Sequence, residues 1–493
     1  MISQPATGPS TPADHVRFVI GMVTVLCCVL AVMAAREKLL GDPDISWHIK
    51  TGSWIWQHQA FPTVDPFSYS FAGQPWIAKE WLSQIVYFAA FALGGWNAVA
   101  FTGLAVIGVS VALLYWSVSG WLRPSLAAVV VLVCILFAST SITVRPHLLS
   151  LPLPVIWTDQ LFKASKEGRS PNFFLLLVLV VWANLHAAFT MGFVIAFFAF
   201  LDVLETSGLT KKSVILKWVA FLALCPLVCL IHPYTYQPML ATWLFIKPHD
   251  WVAPIVEWQP FNAQIHKLHA VALIGLMFAA LISGFRLGIA RALLLALLVY
   301  LFMTHVRYAF FLFPVLTLVV APGVARQFPV LSFEQWRLQP LQPLEQRIGA
   351  AFKPIASVLA GILVLVLGLQ LLALPTSPPE SVAATAALDF VRSHGVTGNV
   401  MNHYGFGGPL IFNGIPTFID GRTEQLFLGD FMTEFATGPR DEAALARAID
   451  QYDVRWTIMP PGDARVALLD KMPGWHRVFA DKFAVIHQRL SGP

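Results

Sequence analysis

A series of long apolar runs constrains this chain more than any other feature. Runs able to cross the roughly 30 Å hydrocarbon layer of a bilayer lie near residues 18–36, 97–118, 125–143, 147–163, 172–188, 190–206, 214–231, 269–285, 287–304, 306–323 and 354–374. They amount to about eleven spans, the pattern of a polytopic α-helical membrane protein. A composition of 57% hydrophobic and 12% charged residues excludes a soluble chain of two or three domains. The net charge of +5 comes from cations scattered among loops, so it offers no footprint for nucleic acid. All the cysteines (Cys27, Cys28, Cys134, Cys225 and Cys229) fall inside apolar runs, where thiols act as small hydrophobes. A disulfide framework in the loops or tail is therefore excluded.

Topology turns on the run Trp81–Leu93, which is apolar but short and flanked by Lys79-Glu80 and Gly94-Gly95. That length suits an interfacial or re-entrant helix better than a span. Counting it as a span would place Lys163, Lys166, Arg169, Lys211 and Lys212 outside, against the positive-inside bias. With it on the surface and the N-terminus inside, those residues fall inside together with Arg123, Arg286, Arg326 and Arg347. The tail after the last span then lies outside. Of the 14 histidines, only His15 is on the inner side of this arrangement. Imidazole concentrates where protons, phosphate or metal are handled, although an amphipathic ring also tolerates the interface.

This arrangement divides the chain into a transmembrane domain, 1–374, with a first external loop at 37–96, and a C-terminal domain, 375–493. After the linker Pro375–Glu380, helical signals at 380–394 and 440–452 alternate with strand-like runs Asn399–His403, Pro416–Ile419, Trp456–Met459 and Phe483–Gln488. That alternation predicts a small α/β domain, expected to cap the active cavity or grip the acceptor. Asp420-Gly421-Arg422 reads either as a ligand-binding strand end or as a turn with a local ion pair. Gly-Phe-Gly-Gly at 405–408 lacks the strand–helix setting of a dinucleotide fingerprint.

On this topology the unusual polar residues converge on the outer face. The first loop brings Asp42, Asp44, His48, Asp65, Lys79, Glu80 and Trp81. Later junctions bring Arg145, His147, Asn184, His186, His232, Glu257, His305 and Arg307. Acids beside a bilayer are costly unless they face water, a partner or a substrate. Asp44 is also a favoured residue type for capping a helix over Ile45–Gln59. An arginine at the end of a span can be structural, but two beside histidines and carboxylates suit anion binding, since a guanidinium matches phosphate oxygens bidentately. A carboxylate to take a proton and cations to hold a departing phosphate are what transfer from a phosphate-linked donor requires.

An ordered set of short runs carries a family resemblance. It comprises Asp44-Ile-Ser-Trp-His-Ile-Lys-Thr-Gly, Phe61-Pro-Thr-Val-Asp-Pro-Phe-Ser, Lys79-Glu-Trp-Leu, Arg145-Pro-His, Trp182-Ala-Asn-Leu-His, Glu257-Trp and Phe418-Ile-Asp-Gly-Arg. With the acidic first loop and external tail, they make the chain resemble the GT-C superfamily of membrane glycosyltransferases, in a bacterial branch using polyprenyl-phosphate-linked sugars. The resemblance implies an inverting transfer at the outer face of the bacterial inner membrane, to a glycan, lipid or protein acceptor. It assigns the base to Asp44, with Asp42 as alternate and His48 beside them. Arg145, His147, Arg307 and Lys79 would hold the donor phosphate. Asp65, Glu80, Trp81, Asn184, His186, His232, Glu257 and His305 would surround the substrates. A divalent metal is compatible with these groups, but no ligand set or cofactor is assigned. The competing function is a non-catalytic transporter, flippase or binding protein for lipid-linked sugars.

Overall fold

Every apolar run identified above contains helix in the computed structural model, which describes residues 11–138, 142–208, 211–245, 258–435 and 441–489. Among the described residues, five helices are long and apolar enough to cross a membrane: Pro12–Ala34, Trp81–Ser119, Ala187–Thr206, Val306–Gln327 and Phe352–Leu372. Pro124–Ala138, Phe173–Leu185, Lys267–Ser283 and Ile289–Thr304 are apolar but shorter. The chain is an integral membrane protein, with fewer full-length spans among the described residues than the expected count of about eleven. The shortfall has a physical origin in length and polarity. Pro152–Lys166 has 15 residues and carries Asp159, Lys163 and Lys166, so it extends only about 22 Å. Lys212–Val228 holds an internal proline, Pro226.

Local sequence explains the helix ends that matter. Thr11 and Asp14 form a capping box at the start of Pro12–Ala34, with Pro12 at the first helical position. Trp81–Ser119 is two helices joined at Gly94 and Gly95, whose backbone is non-helical (Gly95 φ 59°, ψ −150°). The short helix at Trp81–Leu93 is thereby separated from the long one after it, at a position where glycine carries no steric cost. Asp44 does not precede its helix as a cap. The helix is Asp44–His58, following Pro43, and Asp42 instead accepts the Asp44 backbone N–H at 3.0 Å.

The membrane helices share one large apolar core containing Trp157, Trp182, Trp218 and Phe302, all fully buried. A buried ion pair ties two of them together, with Arg291 Nε and Nη2 donating to Asp202 at 2.8 and 2.9 Å.

The tail holds a four-stranded sheet: β1 (Asn399–Asn402), β2 (Val454–Met459), β3 (Trp475–Ala480) and β4 (Val485–Arg489). The order is β1-β2-β4-β3, with β1 and β2 parallel and the other pairs antiparallel. The expected strand at Pro416–Ile419 is not in this sheet. It pairs with the first loop instead, through the Ser68–Thr417 bridge, with Tyr69 N–H donating to Thr417 O at 3.1 Å and Ser70 Oγ to Phe418 O at 2.6 Å. Loop and tail consequently share a core, in which Trp47, Ile55, Phe67 and Trp76 pack with Met401, Phe418, Ile419 and Phe427. The boundary at 374–375 therefore separates segments of sequence that are packed into one body.

Candidate active site

Two close approaches between helix Asp44–His58 and its neighbours set the site. A Cβ at Gly52 would lie 2.1 Å from the Gln84 carbonyl oxygen, so only glycine lets this helix rest against Trp81–Leu93. Likewise a Cβ at Gly408 would lie 2.1 Å from Pro43 O, and one at Gly421 would lie 1.9 Å from Asp44 Oδ1. Gly408 and Gly421 are thus the means by which the tail seats against the start of the Asp44 helix, while Gly407 lets the tail close on its own Ile419–Asp420 segment. The Gly-rich run is a packing device, not a cofactor loop.

Between these elements lies a cavity of about 700 Å³. Of the residues expected in the site, it is lined by His48, Lys79, Glu80, Arg145, His147, His186, His305 and Arg307. Asp42 and Asp44 stand directly behind its wall, both bound to Arg145: Nη1 to Asp42 at 3.1 Å and Nη2 to Asp44 at 2.9 Å. Asp42 thus spends its oxygens on a turn and on Arg145. The Asp44 side chain, 9% exposed, meets Gly421 at the wall.

Four expected site residues are engaged by contacts elsewhere in the structure. Asp65 is fully buried in an ion cluster with Arg422, whose Nη2 also reaches Asp420 at 2.7 Å. It welds the first loop to the tail because an unpaired buried charge would be prohibitive. Trp81 Nε1 donates to Asn184 Oδ1 at 2.7 Å, and Asn184 Nδ2 donates to Ile231 O at 2.9 Å. His232 has Nε2 3.1 Å from Lys79 O and accepts from the Tyr234 N–H. None of these four lines the cavity. Glu257 lies outside the described residues.

The tail supplies cavity residues that sequence reasoning missed: Glu424 and Gln425, beside Gly421 and Arg422. Glu424 pairs with Lys79 and, at 3.7 Å, with Arg307, whose guanidinium lies 4.2 Å from the Trp258 ring centroid. Gln84 and Tyr308 also line the wall.

Charge states follow from these neighbours. Burial pushes the Glu80 carboxyl up to about 7, a shift that Glu424 reinforces and Lys79 opposes. Its nearest partner is His186, with Nε2 3.6 Å away. Burial acts on Glu424 the same way, but Lys79 and Arg307 outweigh it and hold the group at about 2. His48 is pushed well below the usual imidazole range by burial and then by Arg145, His147 and Lys79. It is therefore neutral at pH 7, within hydrogen-bond distance of Gln84 (3.3 Å). Among the described residues no group of three or more His, Cys, Asp or Glu is arranged to hold a metal ion. At the paired aspartates the positive charge is the Arg145 guanidinium.

No family model matches the sequence, and no curated protein matches it. The architecture has relatives among solved structures, and it is the fold that they share with this chain. The oligosaccharyltransferase of Archaeoglobus fulgidus, solved in its apo form, matches 88% of this chain and 69% of its own, with a TM-score of 0.53 at 12% identity. ArnT from Cupriavidus metallidurans matches 95% of this chain and 99% of its own in two structures. The TM-score is 0.49 at 14% identity for the form bound to undecaprenyl phosphate and 0.46 at 12% for the apo form.

Proposed function

We propose that this chain is an inverting glycosyltransferase, hexosyl or pentosyl, that uses a polyprenyl-phosphate-linked sugar and works at the extracytoplasmic face of a bacterial inner membrane. The acceptor is a hydroxyl of a glycan, lipid or protein. The observation that carries the reading is the single cavity where Lys79, Arg145 and Arg307 converge beside the aspartate pair, in a GT-C fold.

Asp44 is the base. It takes the acceptor hydroxyl proton as the oxygen attacks the anomeric carbon from the side opposite the phosphate. The bond from the anomeric carbon to the phosphate oxygen breaks, and polyprenyl phosphate departs with the electron pair. Lys79 and Arg307 stabilise the charge that develops there, and His147 lines the same wall. Arg145, 2.9 Å away, fixes the Asp44 carboxylate in place. Neutral His48, one helical turn beyond Asp44, is placed on the same face to hydrogen-bond the acceptor.

The test is to incubate the purified chain, in lipid nanodiscs, with a panel of polyprenyl-phosphate sugars and follow release of the lipid phosphate by mass spectrometry. The reading expects release with at least one donor. Binding of every donor without turnover would favour a carrier instead.

A further inference from the structure

The tail places its own anion in the cation site. Glu424 stands two residues after Arg422, whose side chain is locked at zero exposure between Asp420 and Asp65. That anchor fixes the backbone of the segment against the first loop. The Glu424 side chain is different: it is 30% exposed, lines the cavity and reaches Lys79 and Arg307 from two other parts of the chain. Arg307 is held from behind by the Trp258 ring. Two pre-set cations therefore converge on one anion, and that anion is a carboxylate carried on a partly exposed side chain.

We infer that Glu424 occupies the position of the donor's phosphate, and that Lys79 and Arg307 form a single-phosphate subsite that the donor enters by displacing this carboxylate. The inference rests on the lipid-linked donor of the proposed function and adds how that donor is recognised. Carboxylate and phosphate present similar paired oxygens to the same donors. Leaving two partly buried, converging cations unpaired is costly, so one anion replaces the other as it arrives.

The charges suit this exchange. Glu424 carries one negative charge, as does a sugar–phosphate–lipid diester, so the swap leaves the local balance unchanged. When the bond to the anomeric carbon breaks, the departing phosphate gains a second negative charge. Lys79 and Arg307 then match it in full, so the subsite favours the transition state over the bound donor. Arg145 belongs to a separate task, holding Asp42 and Asp44.

The test measures binding of undecaprenyl phosphate, with undecaprenol as the lipid lacking phosphate, to full-length protein in nanodiscs. Glu424→Gln is expected to bind undecaprenyl phosphate about tenfold more tightly than wild type, with undecaprenol unchanged. Glu424→Asp, which keeps the charge, stays near wild type, separating lost competition from altered packing. Adding Lys79→Ala to Glu424→Gln abolishes the gain. Equal affinities for wild type and Glu424→Gln, with phosphate-dependent binding present in both, would overturn the subsite while leaving the donor reading intact. Absence of phosphate-dependent binding in both proteins would overturn the donor reading, and the subsite with it.

Discussion

Gly421→Ala is the smallest change that separates base placement from donor binding. The added Cβ would fall 1.9 Å from Asp44 Oδ1, 2.7 Å from its Cγ and 2.9 Å from Trp47 Nε1. Carbon contacts relax only near 3.5 Å, so the carboxylate must retreat by about 1.5 Å or the tail must lift by the same amount. Either movement strains the 2.9 Å pairing with Arg145. Overpacking of this kind costs about 1–3 kcal/mol, and misplacing a reacting group by about 1 Å can cost on the order of 100-fold in rate. Gly421 is not in the left-handed region, so the effect is steric, not conformational. In a donor-turnover assay the variant should lose roughly 100-fold in kcat, while undecaprenyl phosphate binding through Lys79 and Arg307 changes little. Gly462→Ala, with no atom within 4 Å of its Cβ, is the matched control. Full turnover by Gly421→Ala would refute the placement of Asp44 at the reacting centre.

Other outcomes follow from the same geometry. Asp65→Asn leaves Arg422 short of a buried partner and should destabilise the chain by about 3–5 kcal/mol, seen as a lower melting temperature and faster proteolysis in the tail. Glu80 titrates at about 7 against an ordinary 4.5, so its neutral form stabilises the fold below pH 4.5. That contribution is lost as pH rises to about 7, on the order of 3 kcal/mol in all. Thermal unfolding from pH 4.5 to 8 should therefore show wild type losing ground to Glu80→Gln up to neutrality and none above it; parallel curves would contradict the assignment. A periplasmic reporter enzyme fused after Pro493 should be active in a bacterial host, and an inactive fusion with an active cytoplasmic reporter would invert the topology.

The helical framework was legible because span-length hydrophobicity and the Gly94-Gly95 break are local properties. Most polar cavity residues were legible for a related reason: Arg145, His147, His186, His305 and Arg307 stand at the ends of apolar runs, where polarity is conspicuous. Long-range pairing was not legible. Asp65 looked like a substrate contact because its partner Arg422 lies 357 positions away, and an ion pair leaves no mark on either local sequence. Pro416–Ile419 has a strand's composition, and only the fold reveals that the first loop claims it. Glu424 follows the Asp-Gly-Arg turn as an ordinary polar residue, and its importance comes from where Lys79 and Arg307 stand. The glycines at 407, 408 and 421 suggested a turn or a loop, whereas Gly407 and Gly408 let backbones approach and Gly421 makes room for the Asp44 carboxylate.

The central claim is that Asp44 serves as the base for transfer with inversion. The most direct measurement is the anomeric configuration and rate of product formation from a polyprenyl-phosphate sugar, for wild type and Asp44→Asn, with donor binding measured alongside. The account predicts a product of inverted configuration from wild type. It also predicts a rate loss of roughly 100-fold or more in Asp44→Asn, with donor binding preserved. A product of retained configuration, or wild-type turnover by Asp44→Asn, would contradict it.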